Sequence, residues 1–256
     1  MTKKIKETPQ QRIALLIDGD NAQPALIEKI LTEAGKNGAV TIRRIYGDWT
    51  RASMKSWKNV LNTTAIQPIQ QFSYTKGKNA TDSSMIIDAM DILHSDLVDG
   101  FCIVSSDSDY TRLATRIREG GFFVMGIGKE MTPQAFVKAC NLFIYTENLM
   151  PKGSVQRGRR PVQSSSSREI EPRALDPIPR VTDAMEMAMQ EDGWANLATL
   201  GFYLHQLDPG FDPRTYGYKQ LSQLLKKYPQ IFELRFKDES GQTVIYARLK
   251  DLGTLG

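Results

Sequence analysis

Two short apolar runs in the first half of the chain each end in acid. Ile13-Ala-Leu-Leu-Ile17 leads into Asp18-Gly19-Asp20-Asn21, and Phe101-Cys-Ile-Val-Ser105 leads into Ser106-Asp107-Ser108-Asp109-Tyr110. A further acid, Asp82, stands in the first turn of a helical segment, after the polar loop Thr75-Lys-Gly-Lys-Asn-Ala-Thr81. Carboxylates that converge repel one another, so such a cluster is stable only when a cation or protons neutralise it. The only two cysteines, Cys102 and Cys140, fall inside apolar segments, and with two histidines in the whole chain a Cys/His zinc site is not expected. Oxygen ligands suit Mg²⁺ or Mn²⁺, which keep waters and substrate phosphates in their remaining positions. The matching chemistry is phosphodiester hydrolysis, in which carboxylates hold two ions about 4 Å apart and no histidine base is required. His94, late in a helix, and His205, in the second domain, read as structural or surface groups.

Each acid also has a plainer role. Asp82 and Asp107 suit helix N-termini, where a carboxylate satisfies free N–H groups and the dipole. Asp20 can be a turn residue beside Gly19, and Asn21 either orients a carboxylate or caps a helix. Asp88 follows Asp82 by six residues, about 240° around a helix, so the two cannot share a face; Asp88 is expected to meet a structural partner or touch the rim. With Asn21, Asp20 and Ser105 it is a candidate supporting group. Two basic pairs, Lys76 with Lys78 and Arg112 with Arg116, are placed to hold the substrate backbone, against the alternative of solvated positions. Trp49 and Trp57, flanked by Arg51 and Lys55, offer stacking surfaces, with core packing expected for at least one indole.

The acids need elements to carry them. Apolar or β-rich runs at 13–17, 40–46, 66–72, 101–105, 122–127 and 142–145 alternate with helical patterns near 24–36, 50–63, 81–95, 108–120 and 133–139. Continuous apolar strands separated by helices predict an α/β fold with a mostly parallel sheet covered on both faces. Open sheets of this kind place their sites at the carboxyl ends of the strands.

Residues 10–149 resemble the NYN domain family. The resemblance rests on Ile-Asp18-Gly-Asp-Asn21, the Lys-Gly-Lys-Asn-Ala-Thr-Asp82 loop with Asp88 in the following helix, and Val-Ser-Ser-Asp107-Ser-Asp109-Tyr. NYN domains are PIN-like, so the resemblance implies a Rossmann-like sheet and Mg²⁺- or Mn²⁺-dependent RNA cleavage, with Asp18, Asp82, Asp107 and Asp109 as catalytic and metal-binding positions. The family's usual Ser-Gly-Asp-Ser-Asp is Ser105-Ser106-Asp107-Ser108-Asp109 here, which alters the turn and leaves the acids in place. Asp18-Gly-Asp20 after an apolar strand also resembles the nucleophile motif of haloacid-dehalogenase-like phosphatases, although those carry Thr or Val where this chain has Ala22, or Asn21 before it.

The charge is unevenly spread. Residues 1–150 carry 18 basic and 16 acidic groups, residues 151–180 carry 7 and 3, and residues 181–256 carry 8 and 10. The basic excess lies in a Pro-, Ser- and Arg-rich stretch with almost no apolar pattern, so 150–175 is expected to be a flexible linker. Arg157, Arg159 and Arg160 within it can touch phosphates non-specifically, or merely aid solubility. Beyond it, residues 176–250 read as helices at 182–190, 197–206 and 218–228 and strands at 231–236 and 243–249, with Met185, Ala188 and Met189 as core. This order, with Gly193-Trp-Ala-Asn-Leu197 and the stretch Phe211 to Lys226, resembles the OST-HTH or LOTUS domain, a small winged-helix family. That resemblance implies binding of RNA, or in some members of protein. Arg214 and Lys219, with Lys226 and Lys227, are the candidate RNA contacts, beside Tyr216 and Tyr218; a net charge of −2 over residues 181–256 argues against strong non-specific phosphate attraction.

An apolar fraction of 41% and a charged fraction of 24% are near the globular average. No apolar run reaches the roughly 18 residues that span a bilayer, and the basic N-terminus lacks a cleavage site; a cytoplasmic protein without membrane contact is expected. The expectation is a metal-dependent ribonuclease with an RNA- or protein-binding adaptor, the alternatives being a catalytically silent scaffold and a phosphatase.

Overall fold

A computed structural model of the protein describes residues 10–72, 80–150, 176–239 and 241–250. Lys76, Lys78 and residues 151–175, including Arg157, Arg159 and Arg160, lie outside the described residues. The chain divides into two compact units, Met1–Met150 and Pro151–Gly256.

In the first unit, strands β1 (Arg12–Asp18), β2 (Ala39–Gly47), β3 (Gln67–Gln70), β4 (Gly100–Val104), β5 (Phe123–Gly128) and β6 (Leu142–Tyr145) form one sheet in the order β3-β2-β1-β4-β5-β6. Every pairing is parallel. Helices α1 (Ile27–Gly35), α2 (Trp57–Thr64), α3 (Ala80–Leu93), α4 (Thr111–Glu119) and α5 (Gln134–Ala139) make the crossovers. The continuous apolarity of β1 follows from burial on two faces. Ala14 and Leu16 pack with Met85 of α3 and Leu113 of α4, while Ile13, Leu15 and Ile17 pack with Ile27 and Ile30 of α1 and Trp57 of α2. Strand order reverses between β1 and β4, which opens a crevice at their carboxyl ends.

Sequence periodicity placed these elements to within a few residues. The expected strand at 66–72 shortens to Gln67–Gln70 at the sheet edge, where Pro68 costs no ladder hydrogen bond that a central strand would need. Trp57 is buried in the core, and Trp49 is half-buried against it. Cys102 and Cys140 are free and buried; burial pushes both thiols up, Cys140 to about 12, so neither is a ready nucleophile.

The second unit holds helices α6 (Ile178–Ala188), α7 (Leu197–Leu207) and α8 (Leu221–Lys226) and strands β7 (Ala195–Asn196), β8 (Phe232–Glu239) and β9 (Gln242–Leu249). The strands form a small antiparallel sheet in the order β7-β9-β8. Its core includes Val181, Met185, Leu200, Leu204, Leu224 and Phe232. Three details depart from the sequence reading. Helix α6 begins at Ile178, earlier than expected, because prolines are accommodated in a first turn. Helix α8 begins at Leu221, after Gly217 at φ 88 and the extended Gln220 break the expected start at Tyr218. Met189 is exposed rather than core: the chain turns extended there and bridges to Ala195.

Candidate metal centre

The last residue of β1 is Asp18, and the chain must then turn sharply under Tyr46. Gly19 makes this possible: its N–H donates to the Tyr46 carbonyl at 2.9 Å, and an added Cβ would sit 2.7 Å from that oxygen. The turn aims backbone donors at the Asp18 carboxylate. Oδ1 accepts from the N–H groups of Asp20 at 3.1 Å and Asn21 at 3.3 Å, and Oδ2 accepts from Asn21 Nδ2 at 2.6 Å and Ser105 Oγ at 2.8 Å. Four donors fill the four lone-pair directions of a carboxylate. Asp18 is only 1% exposed. Burial raises its pKa, the Asn21 and Ser105 hydrogen bonds oppose that shift, and the nearby Asp82 charge adds to it.

Ser105 links the two central strands. It follows β4, its N–H extends the ladder to Ile127, and its Oγ accepts from the Asp107 N–H at 3.1 Å while donating to Asp18. Asp107 caps a single helical turn, Oδ1 accepting from the Asp109 N–H at 3.0 Å. Ser106, which stands where the family pattern has Gly, accepts from the Lys129 N–H at 2.8 Å. The substituted side chain thereby ties this turn to the end of β5.

Across the crevice, the first turn of α3 presents Asp82. Its Oδ1 accepts from the buried Tyr110 hydroxyl at 2.7 Å. Asp82, Asp107 and Asp109 each offer a carboxylate oxygen lying within 4.8 Å of the others. Burial raises the pKa of Asp82, the Tyr110 hydrogen bond opposes this, and the charges of Asp107, Asp109 and Asp20 raise it further. Partial burial and mutual repulsion are the conditions that a divalent cation relieves, and hard oxygen donors are what Mg²⁺ and Mn²⁺ take. The donor set therefore fits such an ion.

Comparison with known proteins bears on the same residues. The NYN domain matches residues 12–148, more than half of the chain. The chain belongs to the NYN domain family. A second match, to the OST-HTH/LOTUS domain, spans residues 179–244. An NYN domain points to nuclease-type chemistry, and an OST-HTH/LOTUS domain to RNA binding. A crystal structure of a protein of unknown function from Vibrio parahaemolyticus is 19% identical over 54% of this chain and 94% of that one, with a TM-score of 0.46. A solution NMR structure of an uncharacterized protein from Nitrosomonas europaea is 35% identical over 37% of this chain and 90% of that one, with a TM-score of 0.28. None of the curated proteins matches.

Within the NYN domain, the other candidates fall into distinct places. Asn21 and Ser105 support Asp18, and Asp20 is exposed on the same turn. Asp88 faces elsewhere: it accepts from the Tyr46 hydroxyl at 2.5 Å and pairs with Arg44 at 2.7 Å, the structural partner its helical phase required. Arg112 and Arg116 are exposed on α4, Arg116 lying 3.6 Å from Glu119. In the OST-HTH/LOTUS domain, Lys219 is exposed, but Arg214 forks onto the buried Asp212, Nε at 2.9 Å and Nη2 at 2.7 Å from Oδ2. Arg214 is thus committed to holding its own turn rather than presenting an open fork to phosphate. Tyr110 is the site residue that sequence reasoning passed over. It lies beside the acidic motif, yet a tyrosine near acids gives no sign in sequence that its hydroxyl turns inward onto a carboxylate from another helix.

Proposed function

We propose that the protein is a metal-dependent ribonuclease whose NYN domain hydrolyses RNA phosphodiester bonds and whose OST-HTH/LOTUS domain engages RNA or a protein partner. The observation that carries this reading is the approach of Asp82, Asp107 and Asp109 to within 4.8 Å of one another at the crevice between β1 and β4. These residues would hold Mg²⁺ or Mn²⁺, which when bound supplies Lewis acidity and a low-pKa water. Asp107 and Asp109 come from one turn and Asp82 from another helix, so the cation would also pin the two sides of the crevice. Tyr110 restrains one Asp82 oxygen. Asp18 acts as a positioning residue: with both oxygens filled, it fixes Ser105 and, through it, the Asp107 backbone. The same burial counts against Asp18 as a phosphatase nucleophile, which needs an oxygen open to substrate.

The test is incubation of purified protein with labelled single-stranded RNA, duplex RNA and DNA, with Mn²⁺ or with chelator. Internal cleavage or shortening of RNA that requires Mn²⁺ is the expected result. Release of inorganic phosphate from small esters with internal bonds intact would favour phosphatase chemistry, and RNA binding without turnover would make the protein a scaffold.

A further inference from the structure

On the α2 side of the edge strand β3, beside the carboxyl end of β2, lies an open cavity of about 470 Å³, within the roughly 300–1,000 Å³ typical of small-ligand sites. Its apolar surface comes from Met54, Leu61, Ile66 and Pro68, its wall is the Trp49 indole, and Lys55 and Lys58 stand in its lining. No acid is among the lining residues described. The indole is held in place: Nε1 donates to the Ile69 carbonyl at 2.9 Å, and the Trp49 N–H donates to Gln70 Oε1 at 3.0 Å. Both lysines are exposed, and neither forms an ion pair with a described residue, whereas Arg51 nearby pairs with Asp48 at 3.5 Å. The cavity shares a side chain with the acidic end of the sheet. A Cβ on Gly19 would lie 2.8 Å from Met54 Cε, so Met54 lines the cavity and also packs against the turn that follows Asp18.

A fixed aromatic wall, an apolar floor and two cations without an ion pair among the described residues match the three parts of an unpaired nucleotide: a planar base and the phosphates on either side. We propose that this cavity is a nucleotide subsite for single-stranded RNA, in which a base stacks on Trp49 while Lys55 and Lys58 meet the flanking phosphates. The choice of RNA as ligand rests on the ribonuclease reading. Bases paired in an A-form duplex are not available to such a wall, so single strands are selected by geometry.

The experiment uses the full chain in chelator, where no cleavage occurs, titrated with pentauridylate, pentaadenylate and a short RNA duplex while fluorescence and anisotropy are followed. Trp57 and Trp194 are 1% and 8% exposed, so saturable quenching reports Trp49. Quenching by the single strands is expected, to be lost in Trp49→Phe, with affinity falling about tenfold in Trp49→Ala. Lys55→Ala with Lys58→Ala should weaken binding and reduce the salt slope by about 1.4, as two single-strand phosphate contacts require. In Mn²⁺ the same double variant should raise KM for RNA more than it lowers kcat. RNA binding with no Trp49-dependent quenching and an unchanged salt slope overturns the subsite, even if the protein cleaves RNA. Equal quenching by duplex overturns the single-strand claim. Trp49-dependent binding with no cleavage in Mn²⁺ overturns the ribonuclease reading and leaves the subsite standing, and failure to bind any RNA overturns both.

Discussion

Both halves of this chain pair arginines with carboxylates, as Arg44 with Asp88 in the first and Arg214 with Asp212 in the second, but among the described residues only the first also gathers carboxylates together. In the OST-HTH/LOTUS domain, arginines are matched to acids and rings: Arg214 to Asp212, Arg248 to Glu233 at 2.6 Å, and Arg235 to Asp192 at 3.7 Å while it also lies over the Trp194 ring. In the NYN domain, by contrast, three carboxylates converge at one crevice, and a fourth is buried beside them. Matched pairs are what stability alone would retain. Converging like charges cost free energy in the ligand-free protein, so their retention marks the place where a ligand is expected to recover that cost. The contrast favours the first unit's acids over the second unit's cations as the seat of the proposed activity.

The largest test of that contrast is Asp107→Asn. Asn keeps the oxygen that accepts from the Asp109 N–H and caps about as well as Asp, while one charge is removed. Cleavage is expected to vanish, the melting temperature in chelator to hold or rise, and the Mn²⁺-induced rise to shrink. Full Mn²⁺-dependent cleavage by this variant would reduce Asp107 to a helix cap. Next comes Ser105→Ala, which removes the link between Asp18 and the Asp107 backbone. A fall of roughly 10- to 100-fold in activity or metal affinity is expected, as for other groups that orient ligands, measured by metal titration of the melting temperature alongside turnover.

In the matched half, Arg214→Ala leaves the buried Asp212 without its fork. Because Arg214 is itself partly exposed and backbone donors remain, a loss of about 1–3 kcal/mol is expected by denaturant titration. A stability change below about 0.5 kcal/mol together with weakened RNA binding would instead make Arg214 an RNA contact. His205 should give the smallest effect. Burial lowers its pKa below 6.5, partly offset by Asp212, and its Nδ1 has no hydrogen-bond partner among the described residues. The unfolded chain therefore binds the proton more readily, and stability is kept above pH 6.5 and lost as pH falls below it. His205→Gln should flatten that slope, as followed by melting temperature between about pH 5 and pH 7.

Much of the first unit was legible because a sheet buried on both faces imposes unbroken apolar runs, two of these runs lead straight into acid, and a further acid opens a helix after a polar loop. Asp18, Asp82, Asp107 and Asp109 stood out for that reason, and the 240° offset correctly separated Asp88 from Asp82. What stayed hidden depends on side-chain direction. Nothing in sequence distinguishes an Asp18 saturated by four donors from one open to a ligand, or a Tyr110 that packs from one that also holds Asp82. Likewise, Arg214 read as a free cation because its partner, Asp212, is a near neighbour whose burial only the folded turn creates. The start of α6 was missed because prolines signal a linker and a first helical turn equally well.

The hydrogen bond from Ser105 to Asp18 joins strand ends separated by most of the domain's length, the partners standing 87 positions apart in sequence. Parallel pairing of β1 with β4 closes a loop of chain that contains β2 and β3, which lie on the other side of β1. Contacts of such long range are slow to form and place the docking of the two half-sheets late in folding. During synthesis, then, the acids of the two strand ends stay apart until β4 has emerged, and the acidic end matures as a unit with the finished sheet. Amide exchange during refolding should record this as protection of Ser105 and its neighbours that lags behind protection of the helices.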